Sequence, residues 1–440
     1  MFGAFKLTQL NVPAAAASGG WIAETSIDVK PDATIADSSG NVYVAGRVSG
    51  ADGTYLWAYG PSGAITTSKK LTLLSAEATG VRLDSSNNVY ICGHYNTSGS
   101  NYRIVVAKYL ASSFTLDWQR YFDLNTSTGT TGTELAYDIA VHTDGAVYVV
   151  GTTYAFSSTA PAAFIVRLDS TAATMNWFRT YTITSTAVTG VNIDIASDGQ
   201  VNVSGELYPT ATGVLVQWAA QLNGSSTGGG AVYQSRLGVG STVSCTFTDQ
   251  CLDSSNNVIQ IGKYNNTTNP NAGYMIKRTP QFAISWQVAI DFTAGQMVFQ
   301  GVTTDTSGNI YVTGFVNVAS SKIYILKYNS SGVLQWIKTI THSTRALFAR
   351  NIFWIGGNLH IAANNDNNQH VIVKLADTGG TNGTYGSYTI ATVTTGYTTL
   401  TGSVANTTTG MTNTSRTVVA TAALGATQST PSYTSTITTL

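Results

Sequence analysis

The chain has 440 residues, 43% hydrophobic and only 10% charged, and its 22 lysines and arginines balance 22 aspartates and glutamates. With zero formal charge and no basic stripe, composition disfavours nucleic-acid binding through phosphate neutralisation. A surface built from Thr, Ser, Asn and Gly is weakly protected from self-association, which points to an oligomeric assembly.

The N-terminal segment MFGAFKLTQLNVPAAAASGG lacks the apolar core of a secretory signal, because Lys6, Thr8, Gln9 and Asn11 break it up. No stretch approaches the roughly 18 apolar residues of a membrane span, so no membrane partner is expected. Residues 1–19 are read as an arm on a protein first folded in a cytoplasm.

From there a repeat dominates. Asp37 to Gly46 (DSSGNVYVAG) returns as Asp84 to Gly93, His142 to Gly151, Ala196 to Gly205, Asp253 to Gly262 and Asp305 to Gly314, with a degraded seventh copy at Ile355 to Ala363. The first apolar residues after the turn are Val42, Val89, Val147, Val201, Val258, Ile310 and Leu359, at intervals of 47, 58, 54, 57, 52 and 49 residues. A short apolar run such as Val81-Arg82-Leu83 precedes each turn, and Asp, Ser, Asn and Gly within it suit a tight hairpin. A third run follows, as in Ile104 to Tyr109 or Ile323 to Tyr328, and then a fourth centred on Trp118, Trp177, Tyr233, Trp286 or Trp336. Four antiparallel strands at this period make one propeller blade. The fold expected is therefore all-β: a seven-bladed β-propeller over residues 20–390, its strands apolar on both faces because each blade shields the next.

The seventh blade takes its outermost strand either from Trp21 to Ile27 or from Tyr385 to Ile390. Trp21 stands where Trp118 and Trp336 stand in their copies, which favours the N-terminal strand and leaves the C-terminal extension free. Cys92 lies in the apolar strand VYICG as a buried thiol. Cys245 and Cys251 are favoured as free thiols, with a bridge between them left open.

The succession of a short apolar run, DSSGNVYVAG, a variable loop, IVVAKY and a Trp-centred strand resembles the bacterial and viral seven-bladed propeller repeats called SBBP repeats, over roughly residues 20–390. That resemblance implies the fold and leaves the activity open, since propellers host many unrelated functions. Residues 391–440 differ in kind, with 19 threonines and Arg416 as the single charge. High β-propensity without charge suggests extended strands that need a partner surface. Thr-rich, charge-poor ends of this sort resemble those of tailed-bacteriophage virion proteins, including cyanophage tail and fibre components.

No catalytic or cofactor constellation stands out. His94, His142, His342, His360 and His370 form no HxH or HExxH pair, His360 and His370 are read as satisfied core or surface histidines, and neither a GxSxG elbow nor a P-loop occurs. Asp37, Asp84, Asp253 and Asp305 each give a turn one carboxylate, far short of the roughly six to eight oxygens of a calcium site, so Asx turns are expected and no metal. The loops after the second strands carry the candidate binding residues Tyr95, Tyr102, Tyr154, Phe156, Tyr208, Tyr264 and Phe315, aromatics able to stack on sugars or anchor an interface.

The expectation is a non-enzymatic virion structural protein, a phage tail, fibre or surface component made in the host cytoplasm. Its loop-rich face would contact partner proteins or a host surface glycan, while the N-terminal arm and the C-terminal extension would dock it to other virion subunits. The alternative is a bacterial extracellular or cell-surface propeller that binds sugars or proteins, like an adhesin.

Overall fold

The repeated turn closes on its own aspartate. Asp37 Oδ1 accepts the backbone N–H groups of Ser39 and Asn41, each at 2.9 Å, while Oδ2 accepts from Asn41 Nδ2 at 2.7 Å and from the Tyr43 hydroxyl at 3.2 Å. Asp84 and Asp305 repeat all four bonds, with Tyr90 and Tyr311 in the tyrosine's place. These carboxylates meet hydrogen-bond donors at both oxygens, the chemistry of an Asx turn and the reverse of a cation's. The fourth turn residue is left-handed, with φ of 84° at Gly40 and 61° at Asn87, which is why the copies alternate between Gly and Asn there.

A cation from the third strand of the blade covers the same tyrosine. Lys108 Nζ lies 5.6 Å from the Tyr90 ring, the Arg167 guanidinium 5.7 Å from Tyr148, and Lys327 Nζ 5.0 Å from Tyr311. The fifth copy has Ile259 in the tyrosine's place, and its Lys277 pairs with Asp253 at 2.8 Å.

The computed structural model describes residues 20–25, 29–48, 54–71, 77–98, 101–123, 133–154, 160–171, 175–182, 186–209, 215–224, 231–238, 244–265, 272–318, 320–400, 405–407, 412–416, 420–423, 428–429 and 435–439. The arm expected over residues 1–19 and the candidate Phe156 lie outside them. The described elements are all strands. After β1 (Trp21–Thr25), blade 1 comprises β2 to β5 (Val29–Ala36, Val42–Val48, Thr54–Tyr59, Ile65–Leu71) and blade 2 comprises β6 to β9 (Glu77–Leu83, Val89–Ser98, Asn101–Tyr109, Leu116–Asp123). Blade 3 is β10 to β13 (Glu134–Val141, Val147–Thr153, Ala162–Leu168, Met175–Thr182), and blade 4 is β14 to β17 (Thr186–Ile195, Val201–Pro209, Val216–Leu222, Ala231–Gly238). Blade 5 is β18 to β21 (Ser244–Leu252, Val258–Asn265, Ala272–Arg278, Ile284–Phe292), and blade 6 is β22 to β25 (Gln296–Thr304, Ile310–Asn317, Ile323–Tyr328, Leu334–His342). Blade 7 has β26 to β28 (Leu347–Ile355, Asn358–Asn365, His370–Ala376).

The first strands of successive blades touch one another around the axis, β2 against β26 included, so the ring is closed. The chain is a seven-bladed β-propeller. Blade 7 takes its fourth strand from the N-terminus: β1 pairs antiparallel with β28, from Trp21 opposite Lys374 to Glu24 opposite Val371. Strands β11 and β12 are buried along their whole length, as strands with a blade on either side must be. The fourth-strand tryptophans reach the next blade: Trp21 Nε1 donates to Pro61 O at 2.8 Å and Trp286 Nε1 to Ser330 O at 3.2 Å. A side chain added at Gly63 would meet the Trp21 ring at 2.7 Å, so indole and glycine fit as a pair.

The C-terminal extension has a use that the sequence reading did not anticipate. Strands β29 (Gly383–Tyr385) and β30 (Tyr388–Thr392) form a hairpin, and β30 pairs with the outer strand β25 of blade 6. Then β31 (Tyr397–Leu400), β32 (Ala405–Thr407), β33 (Thr412–Arg416), β34 (Ala420–Ala423), β35 (Gln428–Ser429) and β36 (Ser435–Thr439) pair in turn with the outer strands of blades 5, 4, 3, 2, 1 and 7. The extension is thus a belt, running round the rim against chain order and adding two antiparallel strands to blade 6 and one to each of the others. The partner surface that its β-prone sequence requires is the chain's own rim. Outer strands of five to nine residues give way to belt edges of two to five, and short edges resist pairing with other chains.

A second device repeats near the axis. Each blade's first strand slips one residue against its second, leaving Asp32, Thr79, Tyr137, Val191, Thr248, Gln300 and Arg350 as unpaired bulge residues. The bulge turns a carbonyl toward the second strand, and a Cβ at Gly205 would lie 1.8 Å from Thr189 O. The same contact explains Gly151, Gly262 and Gly314; the degraded copy keeps its bulge with Ala363 in that place.

Gly205→Ala is expected to lower unfolding free energy by about 2 kcal/mol or more, seen as a reduced urea midpoint. A chain ended after residue 393 loses six belt strands and should associate on light scattering and melt at lower temperature. A monomer with an unchanged midpoint would deny the belt that role.

Candidate functional site

The bulged strands converge on the axis around a cavity of about 370 Å3 to which every blade contributes lining residues, six of them from the bulges. Thr79, Tyr137, Val191, Thr248, Gln300 and Arg350 come from the bulges themselves, and Asp138, Asn192, Asp249 and Asn351 from the residue that follows. These following residues lean across to the next blade. Asp138 Oδ2 accepts Ile193 N–H at 3.1 Å, Asp249 Oδ2 accepts Val302 N–H at 3.0 Å, and Asn192 Nδ2 donates to Asp249 Oδ1 at 2.8 Å. Arg82 adds an ion pair with Asp138 at 2.9 Å and stands 3.8 Å from Asp194.

Burial dominates the electrostatics here. It raises Asp249 to about 8 against the opposing Val302 N–H, and Asp138 to about 6 although Arg82 pulls it down. Asp194 is raised for the same reason. For Arg82 burial works against the charge, yet the carboxylates of Asp138, Asp194 and Asp249 hold its guanidinium above its usual range. The cavity is polarised: its lining carboxylates, Asp138 and Asp249, stand on blades 3 and 5, while Arg47, Arg82 and Arg350 come from blades 1, 2 and 7.

The candidate aromatics do not form one surface. Tyr154 and Tyr208, from neighbouring blades 3 and 4, are 42% and 47% exposed. Between these blades Tyr137 is raised, first by burial and also by Tyr154 and the Glu206 carboxylate. The other rings have partners. Tyr102 meets His94 edge-on at 5.4 Å, Tyr264 stacks on Tyr274 at 5.8 Å, and Phe315 meets Phe348 of the next blade edge-on at 5.3 Å. Tyr95 pairs through its backbone with Arg103 on β8, and its side chain lies outside the described residues.

The histidine expectation needs correction. His360 and His370 are buried, but neither His360 ring nitrogen has a partner, while His370 Nδ1 meets the Tyr59 hydroxyl at 3.3 Å and its Nε2 meets nothing. Burial holds them neutral, lowering His360 to about 4 and His370 to about 3. Cys92, Cys245 and Cys251 are free, and Cys245 and Cys251 cannot meet, lying six residues apart along the single extended strand β18. The polar channel went unnoticed in the sequence. Its signal was present, since Arg82, Asp138, Asp194 and Asp249 put a charge on the first strand of each of four successive blades.

No protein-family model matches the chain, and no curated protein matches it. Among solved structures it is similar to a protein of unknown function from Dyadobacter fermentans DSM 18053, at 7% identity and a TM-score of 0.43, over 82% of this chain and 99% of that one. It is also similar to a glucose dehydrogenase, at 8% identity and a TM-score of 0.42, over 81% of this chain and 99% of that one.

Between pH 6.5 and 8 folded Asp249 keeps its proton, while the unfolded chain, with an aspartate pKa near 3.8, has lost it. The native state then binds more protons, so stability falls as pH rises, until pH passes about 8. The buried histidines oppose this below and around 6.5, where the unfolded chain takes up protons that the fold refuses, and their effect fades toward pH 8. The urea midpoint should therefore be lower at pH 8 than at pH 6.5, and Asp249→Asn should flatten that slope.

Proposed function

We propose that this chain is a non-enzymatic structural and binding protein of a virion, a phage tail, fibre or surface component, whose loop-rich face contacts partner proteins or host glycans. A propeller suits a protein-binding or structural role, and the site, not the fold, must argue the rest. One observation carries the reading. The belt occupies the outer edge of all seven blades, which leaves the two flat faces for partners, and Tyr154 and Tyr208 are exposed at the ends of the second strands of neighbouring blades. A tyrosine offers a rigid ring for a sugar face and a hydroxyl for a polar rim, at small entropic cost. Zero formal charge and a threonine-rich rim fit a particle subunit packed among its neighbours. Such a subunit is made in the host cytoplasm and carried in the virion, where its N-terminal arm joins it to other subunits.

Antibody raised against the purified chain should decorate the tail or surface of phage particles in immunogold electron microscopy. Label found on bacterial surfaces or secretions, and not on particles, replaces this reading with the adhesin-like one. Tyr154→Ala combined with Tyr208→Ala should weaken attachment of the pure protein to host cells at least about 10-fold, with its melting temperature unchanged.

A further inference from the structure

The blade-to-blade bonds of the channel do not use up its chemistry. Asp138, Asp194 and Asp249 project from three successive inner strands, and the cation that touches this group is Arg82, at 2.9 Å from Asp138 and 3.8 Å from Asp194. Three carboxylates against one guanidinium leave two negative charges, or the protons that replace them. The bonds to Asp249 come from Asn192 Nδ2 and Val302 N–H, which carry no charge.

A second observation points outward from the cluster. Asn192 lines the cavity at only 7% exposure, and its nitrogen is spent on Asp249. Its Oδ1 receives no donor, and neither does Oδ2 of Asp194. An amide oxygen shut away without a donor costs stability, so these oxygens ask for N–H or O–H groups from elsewhere.

The donor's character follows from what surrounds it. Positive charge suits it best, because the neighbouring carboxylates outnumber Arg82 and an ammonium at Asp249 displaces the proton that this buried carboxyl otherwise keeps at pH 7. Among the described residues no three His, Cys, Asp or Glu side chains come together to hold a metal ion, so a compact cation lacks its coordination sphere. A primary ammonium needs no such sphere, since its three hydrogens reach separate oxygens. The rest of the cavity presents Thr34, Thr79, Tyr137, Thr248 and Gln300, groups that pair with hydroxyls. Arg47 and Arg350 stand on the far side of the ring, and Arg350 Nε is bonded to Asn364 at 2.8 Å.

We propose that the channel binds a small polyhydroxylated primary amine, an unacetylated amino sugar, with its ammonium group at Asn192 Oδ1 and Asp249 and its hydroxyls among the bulge residues. This site is distinct from the exposed tyrosines and stands whether or not the protein belongs to a virion.

Saturation-transfer NMR and calorimetry on the full chain at pH 7 test it, with D-glucosamine, N-acetyl-D-glucosamine and D-glucose as probes. Glucosamine should bind at least about 10-fold more tightly than the other two, which lack the ammonium. Equal binding of the three, or none, overturns the proposal, and that comparison needs no variant. Asn192→Leu and Asp249→Asn should each weaken glucosamine at least about 10-fold while melting cooperatively. Folded variants that bind as the parent does would place the amine outside the channel and sink the assignment. Calcium that binds more tightly than glucosamine and displaces it would also overturn it, in favour of a metal.

Discussion

Seven strands crowd one axis, and each yields a residue of register to its neighbour so that its side chains can cross to the next blade. Much of the centre of the molecule depends on that slip. A bulged strand sends a carbonyl into the space where the second strand would carry a Cβ, and the second strand answers with glycine at Gly151, Gly205, Gly262 and Gly314. The freed carbonyls then need donors. Trp218 Nε1 supplies one to Thr189 O at 2.8 Å, and Gln217 Nε2 supplies one across the blade boundary to Thr246 O at 2.7 Å. One register shift thus dictates a glycine, an indole bond and an interblade bond, and aims the bulge residues into a shared cavity.

The belt solves a problem that radial symmetry creates. Every blade ends in an outer strand with a row of unpaired N–H and C=O groups, so seven blades offer seven places for another chain to add. Threonine-rich strands without charge can pair with any backbone, since the bond is made by the main chain and β-branched residues favour the extended form. Because β36 pairs with β1, and β1 with β28, the two ends of the chain lie side by side in the blade that closes the ring. Opening the ring at blade 7 therefore means breaking ladders on both sides of β1.

The fold was legible because its determinants are local and repeated: Asx turns, alternating Gly and Asn at a left-handed position, and apolar strands of fixed spacing. Ring closure by Trp21 was legible too, since the indole occupies a repeated position. The belt was not, because its strands pair with residues hundreds of positions away and its composition fits any edge equally well. Of the candidate site residues, Tyr154 and Tyr208 are exposed, whereas Tyr264 stacks on the next strand of its own blade and Phe315 found a ring partner across a blade boundary that no local pattern encodes. The channel carboxylates escaped notice because each stands alone in its own strand. Only the ring gathers Arg82, Asp138, Asp194 and Asn192 from three blades into one place.

Repetition itself separates scaffold from site. Where the fold needs a residue most copies agree, as at the turn aspartate of blades 1, 2, 5 and 6 and the tyrosine of blades 1, 2, 3 and 6. When blade 5 loses the tyrosine, Lys277 still finds Asp253, so even the exception serves the same hairpin. At the bulge the backbone demands no particular side chain, and the seven blades place Asp32, Thr79, Tyr137, Val191, Thr248, Gln300 and Arg350 at one equivalent position. Stability alone would let such a position drift toward small or apolar residues that fill the axis. Charged and amide groups kept beside it, with oxygens left unbonded, mark the channel as the part of this propeller that its architecture does not explain.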